Sequence, residues 1–174
     1  MKAALIYYSK TGFTKQYAQW LAEEIDCDLI PWEEARKVDF SSYPVMIFAS
    51  WIHAGKIQKL NWLKDQNWEE KEKIVLVTGA APADLESVEE TIENNFQNDR
   101  KEYQIFYLES GINYSKMGLG DKVMMKVFSS MLKKKKEKNC YEEEMTNLVD
   151  HSFDHSKKEY LQPVLEYLQT NPFL

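Results

Sequence analysis

The chain has 174 residues, 44% of them apolar and 13% aromatic, with a formal net charge of −6 and a pI near 5.2. That length suits one domain with a sizeable core, and the apolar content excludes disorder over most of it. The acidic balance argues against nucleic-acid binding; two cysteines, Cys27 and Cys140, are too few for a disulfide framework and fit a reduced, cytoplasmic compartment.

Taken in chain order, the first apolar run is Ala3 to Tyr8. It is too short for a signal sequence and lacks a small-x-small cleavage site, so it reads as a strand. Phe13, Tyr17, Trp20, Leu21 and Ile25 then fall at helical spacing. Cys27 to Ile30 is a weak second strand, and Val45 to Ala49 a third. Gly55 to Gln66 predicts one or two helical turns with Leu60 and Leu63 facing inward. Ile74 to Val77 is the fourth strand. Leu85, Val88, Ile92 and Phe96 predict the next helix, with Asp84 as its N-cap. Gln104 to Leu108 is the fifth strand. Leu161, Val164, Leu165 and Leu168 form a last helical face, with Pro163 tolerated near its start. The first, third and fourth strands are continuously apolar, as strands covered on both faces are. Strand and helix alternate, which predicts an α/β fold: a doubly wound, five-stranded parallel sheet with helices on both faces.

Between the fifth strand and the last helix, Gly111 to Asp154 exceeds what such a sheet needs. The segment predicts an amphipathic helix carrying Met117, Leu119, Val123, Met124, Val127, Phe128, Met131 and Leu132, then a lysine run from Lys133 and an acidic patch at Glu142–Glu144. Ile112 to Cys140 holds eight lysines against one Asp and one Glu, a net of +6 that leaves −12 for the remainder. The apolar stripe is expected to pack inward, as such faces normally do. The alternatives are roofing a ligand, or peripheral contact with a partner or a membrane through residues 117–138. No stretch approaches the roughly 18 apolar residues of a membrane span.

Ligands of a doubly wound sheet bind at the carboxyl ends of its strands. Three such ends carry chemistry here. The first strand runs into Ser9, Lys10, Thr11, Gly12, Phe13 and Thr14. Hydroxyls and helix-N-terminal amides there suit a phosphate dianion, with a plain helix cap as the competing reading. The stretch is neither a Walker A loop nor Gly-x-Gly-x-x-Gly, which argues against ATP or a dinucleotide. The third strand runs into Ser50, Trp51, Ile52, His53, Ala54 and Gly55, suited to walling a flat aromatic ligand; His53 taken alone reads as a surface residue. The fourth runs into Thr78, Gly79, Ala80, Ala81 and Pro82, small enough for close backbone approach. No metal is called for. Together the three ends suit a planar phosphorylated cofactor such as FMN.

At these residues the sequence resembles the flavodoxin-like family. An apolar strand followed by Ser/Thr-x-Thr-Gly-x-Thr is matched at every fixed position by Ser9 to Thr14. Ala49 to Lys56, Gly111 to Tyr114 and the Met-rich helix resemble the branch of menaquinone-dependent protoporphyrinogen oxidase and its flavodoxin-domain relatives. The resemblance implies sheet order 2-1-3-4-5, one domain over residues 1–174 with a helical insertion at about 111–154, and FMN as cofactor. It implies that residues 9–14 hold the phosphate and that residues 50–55 and 78–82 line the ring. Trp51 stands where that branch has Pro or a small residue, and His53 where it has an aromatic. The implied function is an FMN-dependent oxidoreductase or electron carrier, a specialised member rather than a shuttle flavodoxin. Its partner would be a redox protein or a small acceptor such as a quinone or porphyrinogen. The alternatives are a quinone-coupled protoporphyrinogen-oxidase-like enzyme and a non-redox binding module on the same fold. A phosphoacceptor receiver is disfavoured, because Tyr8-Ser9 and Ser50-Trp51 stand where it needs acidic residues.

Overall fold

A computed structural model describes residues 2–171. Five parallel strands form its centre: β1 (Ala3–Tyr7), β2 (Cys27–Pro31), β3 (Val45–His53), β5 (Glu72–Gly79) and β6 (Gln104–Glu109), in the order β2-β1-β3-β5-β6. Counting only these five, the order is the expected 2-1-3-4-5. A short strand β4 (Lys56–Ile57) folds back antiparallel on the end of β3.

The pleat sends alternate residues to opposite faces, and both faces are covered. Leu5, Ile47, Ile74, Leu76 and Leu108 point to one side. There they meet Tyr17, Ala18 and Leu21 of α1 (Phe13–Glu24) and Val164 and Leu168 of α6 (Gln162–Thr170). Ala4, Ile6, Met46, Phe48, Val75 and Val77 point to the other. They meet Leu60 and Leu63 of α2 (Leu60–Lys64) and Val88, Ile92 and Phe96 of α3 (Glu86–Phe96). Pro163 occupies the first turn of α6, where its missing N–H costs no helical bond. Asp84 is not the cap expected of it: α3 starts later, after Leu85, with no side-chain cap.

The segment after β6 leaves the sheet and returns to its starting point. β7 (Gly111–Ile112) pairs antiparallel with β8 (Phe153–Asp154), Gly111 opposite Asp154. The approach is close, since a Cβ on Gly111 would lie 2.0 Å from the Phe153 carbonyl oxygen. Between these strands lie α4 (Leu119–Lys134) and α5 (Cys140–Leu148). Asn139 caps α5 in a reciprocal capping box with Glu142. The pair buries a small cluster of its own: Ile112, Leu132, Met145 and Val149.

The inward packing expected of the α4 stripe fails for most of it. Leu119, Val123, Met124, Val127, Phe128 and Met131 are 37–84% exposed, and among the described residues they are the exposed large hydrophobics. The reason is geometric. Met125, Ser129 and Leu132 occupy the side facing α5. The remaining apolar residues sweep a wider arc than one neighbouring helix can cover. Among the described residues no helix is long and apolar enough to cross a membrane.

Candidate functional site

The carboxyl ends of β1, β3 and β5 meet α4 and α5 around a cavity of about 490 Å³. Of the residues singled out from the sequence, Thr11, Phe13, Thr14, Trp51, Ile52, His53, Ala54, Gly55, Thr78, Gly79 and Ala80 line it; Ser9, Lys10, Gly12, Ser50, Ala81 and Pro82 do not.

The first loop is shaped by Gly12, whose φ of 107° is open to glycine and strained for other residues. Gly12 is the N-cap of α1, and no side-chain hydroxyl caps that helix. The plain-cap reading of the Ser and Thr residues is therefore wrong for this loop. Ser9 Oγ is buried without a hydrogen-bond partner among the described residues. Thr14 Oγ1 instead bonds Thr78 Oγ1 at 2.8 Å, and Thr78 Oγ1 donates to the Ser50 carbonyl at 3.3 Å. These buried hydroxyls lace the three strand ends together. Ser50 Oγ is spent on the Gln58 carbonyl at 2.6 Å, so Ser50 is structural rather than ring-facing.

Charge converges on the same loop. Lys10 Nζ lies 2.5 Å from Asp121 Oδ2 in the first turn of α4. The Lys10 ammonium, by hydrogen bond and charge, holds the Asp121 carboxyl below its ordinary range. Lys116 Nζ would be 3.0 Å from a Cβ on Gly12. An anion arriving at the first loop would thus meet two ammonium groups and one already paired carboxylate.

The second wall is a tight hairpin. Ala54 and Gly55 join β3 to β4 with φ of 47° and 72°, the handedness of a two-residue turn that matches strand twist. Asn95 of α3 braces this turn by donating to the Gly55 carbonyl at 2.9 Å and accepting from Ile57 N–H at 3.0 Å. The Trp51 and His53 rings meet edge to face, 5.2 Å apart. Trp51 Nε1 is buried without a partner among the described residues. Such orphans also occur at Trp32 and Ser156, away from the cavity, so one alone decides nothing. Two at adjoining strand ends, Ser9 and Trp51, mark this edge. The third wall is fixed from β6. Tyr107 donates to the Ala81 carbonyl at 2.8 Å, and the Ser110 amide to the Gly79 carbonyl at 2.7 Å. Burial pushes the Tyr107 phenol far above its ordinary range.

The fourth wall falls on the Met-rich segment, where roofing a ligand is the alternative to inward packing. Met117, Met124, Met125, Phe128, Tyr141 and Met145 close the cavity from the side of α4 and α5. Burial raises the Tyr141 phenol, so it stays a neutral donor at ordinary pH. The methionines were visible as an amphipathic stripe. Tyr141 carried no signal, since nothing local distinguishes it from a surface tyrosine.

A family model for the flavodoxin domain matches residues 4–139. The chain belongs to the flavodoxin domain family. The match starts in β1 and runs through all three strand ends of this flavodoxin domain to the end of the lysine run after α4. The solved structure of the Trp repressor binding protein from Bacillus subtilis aligns at 15% identity with a TM-score of 0.43, over 62% of this chain and 84% of that one. The search of curated proteins gave no match.

The residues present fit a flavin phosphate. The first loop offers an unpartnered buried hydroxyl, the uncapped N-terminus of α1 and two lysines. Next to it is a cavity of the volume usual for a cofactor, walled by aromatic side chains, small residues and methionines.

Proposed function

We propose that this flavodoxin domain binds FMN in the cavity at the ends of β1, β3 and β5 and works as an oxidoreductase with an apolar acceptor. The observation that carries the reading is the first loop: Ser9 Oγ is buried and unpartnered beside a helix N-terminus that no side chain caps. Leaving a buried polar group unmade costs about 1–3 kcal/mol, and a phosphate oxygen would satisfy it. Ser9, Thr11 and the first amides of α1 would hold the phosphate, with Lys10 and Lys116 balancing its charge. Residues 51–55 and 78–80 would wall the ring, with Trp51 Nε1 as a donor to it. When bound, the flavin supplies the electron-transfer chemistry. The chain's own residues would orient it, keep water from it and admit the second substrate.

The acceptor class follows from the fourth wall. Four methionines and Phe128 form an adaptable apolar surface without a fixed charge. It suits a planar apolar molecule in the class of quinones or porphyrinogens better than a charged metabolite, and supports the quinone-coupled reading.

Titration of apo protein with FMN tests the site. Thr11→Ala is expected to weaken binding about tenfold, for one lost hydrogen bond to a charged group. Unchanged affinity would overturn the phosphate-loop assignment. In the loaded protein, Phe128→Ala should raise KM for a short-chain quinone while leaving the rate with ferricyanide unaltered. Equal effects on both acceptors would remove the apolar-acceptor reading.

A further inference from the structure

Among the described residues, the exposed large hydrophobics all lie on one helix. On α4, Leu119, Val123, Val127 and Met131 follow one another at intervals of four, and Met124 and Phe128 lie beside them. Their exposures run from 37% for Met124 to 84% for Leu119, so this is an apolar strip one helix long and open to solvent. Soluble domains rarely leave such a strip without a use.

The charge around the strip is predominantly positive. Lys133 pairs with Asp150 and Lys135 with Glu142. Lys122, Lys126, Lys134, Lys136 and Lys138 have no carboxylate within 4.0 Å among the described residues. Residues 112–140 carry net +6 and the rest of the chain −12. Charge is therefore unevenly divided along the chain, and the basic segment is the one that carries the apolar strip.

We infer that α4 is a membrane-surface anchor, which lies in the plane of an anionic lipid bilayer with Val123, Val127, Met131 and Phe128 entering the headgroup–acyl boundary. An apolar strip collared by lysines on a helix too short and too charged to span is the pattern of an interfacial helix. The competing occupants fit less well. Met and Phe, which α4 has, also suit a protein interface, but such interfaces are depleted in lysine and their strongest anchors are Trp, Tyr or Arg; α4 carries four lysines and none of those three. A second copy would bring one basic collar against another. An anionic bilayer attracts the collar, while the acidic body is repelled and kept outward, which sets the orientation. Met124 and Phe128 also line the cavity. The same docking would place the cavity's apolar wall at the lipid surface, whatever the cavity binds.

Co-sedimentation of the full chain with vesicles tests this without any flavin. The protein is expected to pellet with vesicles rich in phosphatidylglycerol, to stay in the supernatant when the vesicles are pure phosphatidylcholine, and to be released by salt. Lys126→Glu with Lys134→Glu should lower partitioning at least about twentyfold, at about fivefold per lysine. Val127→Asp with Met131→Asp should lower it about tenfold or more. All four positions are exposed, so unaltered thermal unfolding will confirm that the variants fold. Absence of binding to anionic vesicles at low salt would overturn the proposal. So would binding that the lysine reversals leave unchanged, or a concentration-dependent dimer abolished by Val127→Asp in a protein that ignores vesicles.

Discussion

In the sheet body, alternate residues of β1, β3 and β5 reach two different sets of helices, and their apolar side chains are covered. In the Gly111–Asp154 segment, two helices share a core of four buried residues and leave six large apolar side chains in solvent. Both regions are rich in apolar residues at regular spacing, so periodicity alone does not tell burial from exposure. What differs is the number of surfaces available. The body stacks three layers, whereas α4 has α5 on one side and the cavity on another. The segment is held at its base by the β7–β8 pair and at the start of α4 by Lys10 and Asp121.

The largest contrast is expected from paired truncations. Leu76→Ala, at a fully buried position of β5, should lower stability by about 2–5 kcal/mol. Val127→Ala on α4 should change it by less than about 0.5 kcal/mol. Chemical denaturation measures both, and similar losses would show that α4 packs into the body after all. A smaller and more local effect is expected at the base of the segment. Gly111→Ala places a Cβ 2.0 Å from the Phe153 carbonyl and should cost about 1–3 kcal/mol by forcing the β7–β8 pair apart. Hydrogen exchange should then speed up across α4 and α5 while β1, β3 and β5 keep their protection. Uniform acceleration would mean that the two regions unfold as one unit.

At the first loop, Gly12→Ala must hold a φ of 107° and should cost about 1–2 kcal/mol. The smallest effect is the Lys10–Asp121 latch, worth at most about 1 kcal/mol at this exposure. Its sign with pH is fixed. Asp121 is held below its ordinary range when folded, so the contribution is full above about pH 4 and fades as acid protonates the carboxylate. Asp121→Asn should abolish that acid-side loss of protection at the start of α4. An unaltered pH profile would show that the pair does no latching.

Much of this was legible in the chain. Continuous apolar runs announced strands buried on both faces, and Ser9 to Thr14 announced the first loop. Leu60, Leu63, Val88, Ile92 and Phe96 all face inward as their spacing predicted. The α3 start was misplaced because an Asp before a helix is a good cap only when the backbone turns there, and Leu85 is the residue that does so. Ser50 was read as a ligand group, yet its hydroxyl serves the β3–Gln58 connection, a bond made by chain folding that no local motif encodes. The stripe on α4 was visible and its exposure was not, because exposure depends on how many elements surround a helix. Thr91, Tyr141 and Met145 reach the cavity only through tertiary packing.

On the proposed reading, the three strand ends and the α4–α5 wall form one flavin site. The visible absorption spectrum of the purified protein, saturated with FMN and then freed of excess by gel filtration, tests it most directly. One flavin is expected to be retained per chain, with its absorption bands shifted by Trp51 and the apolar wall, and that shift is expected to be lost in Trp51→Ala. A colourless protein after gel filtration, with no change in intrinsic tryptophan fluorescence on titration with FMN, would contradict it.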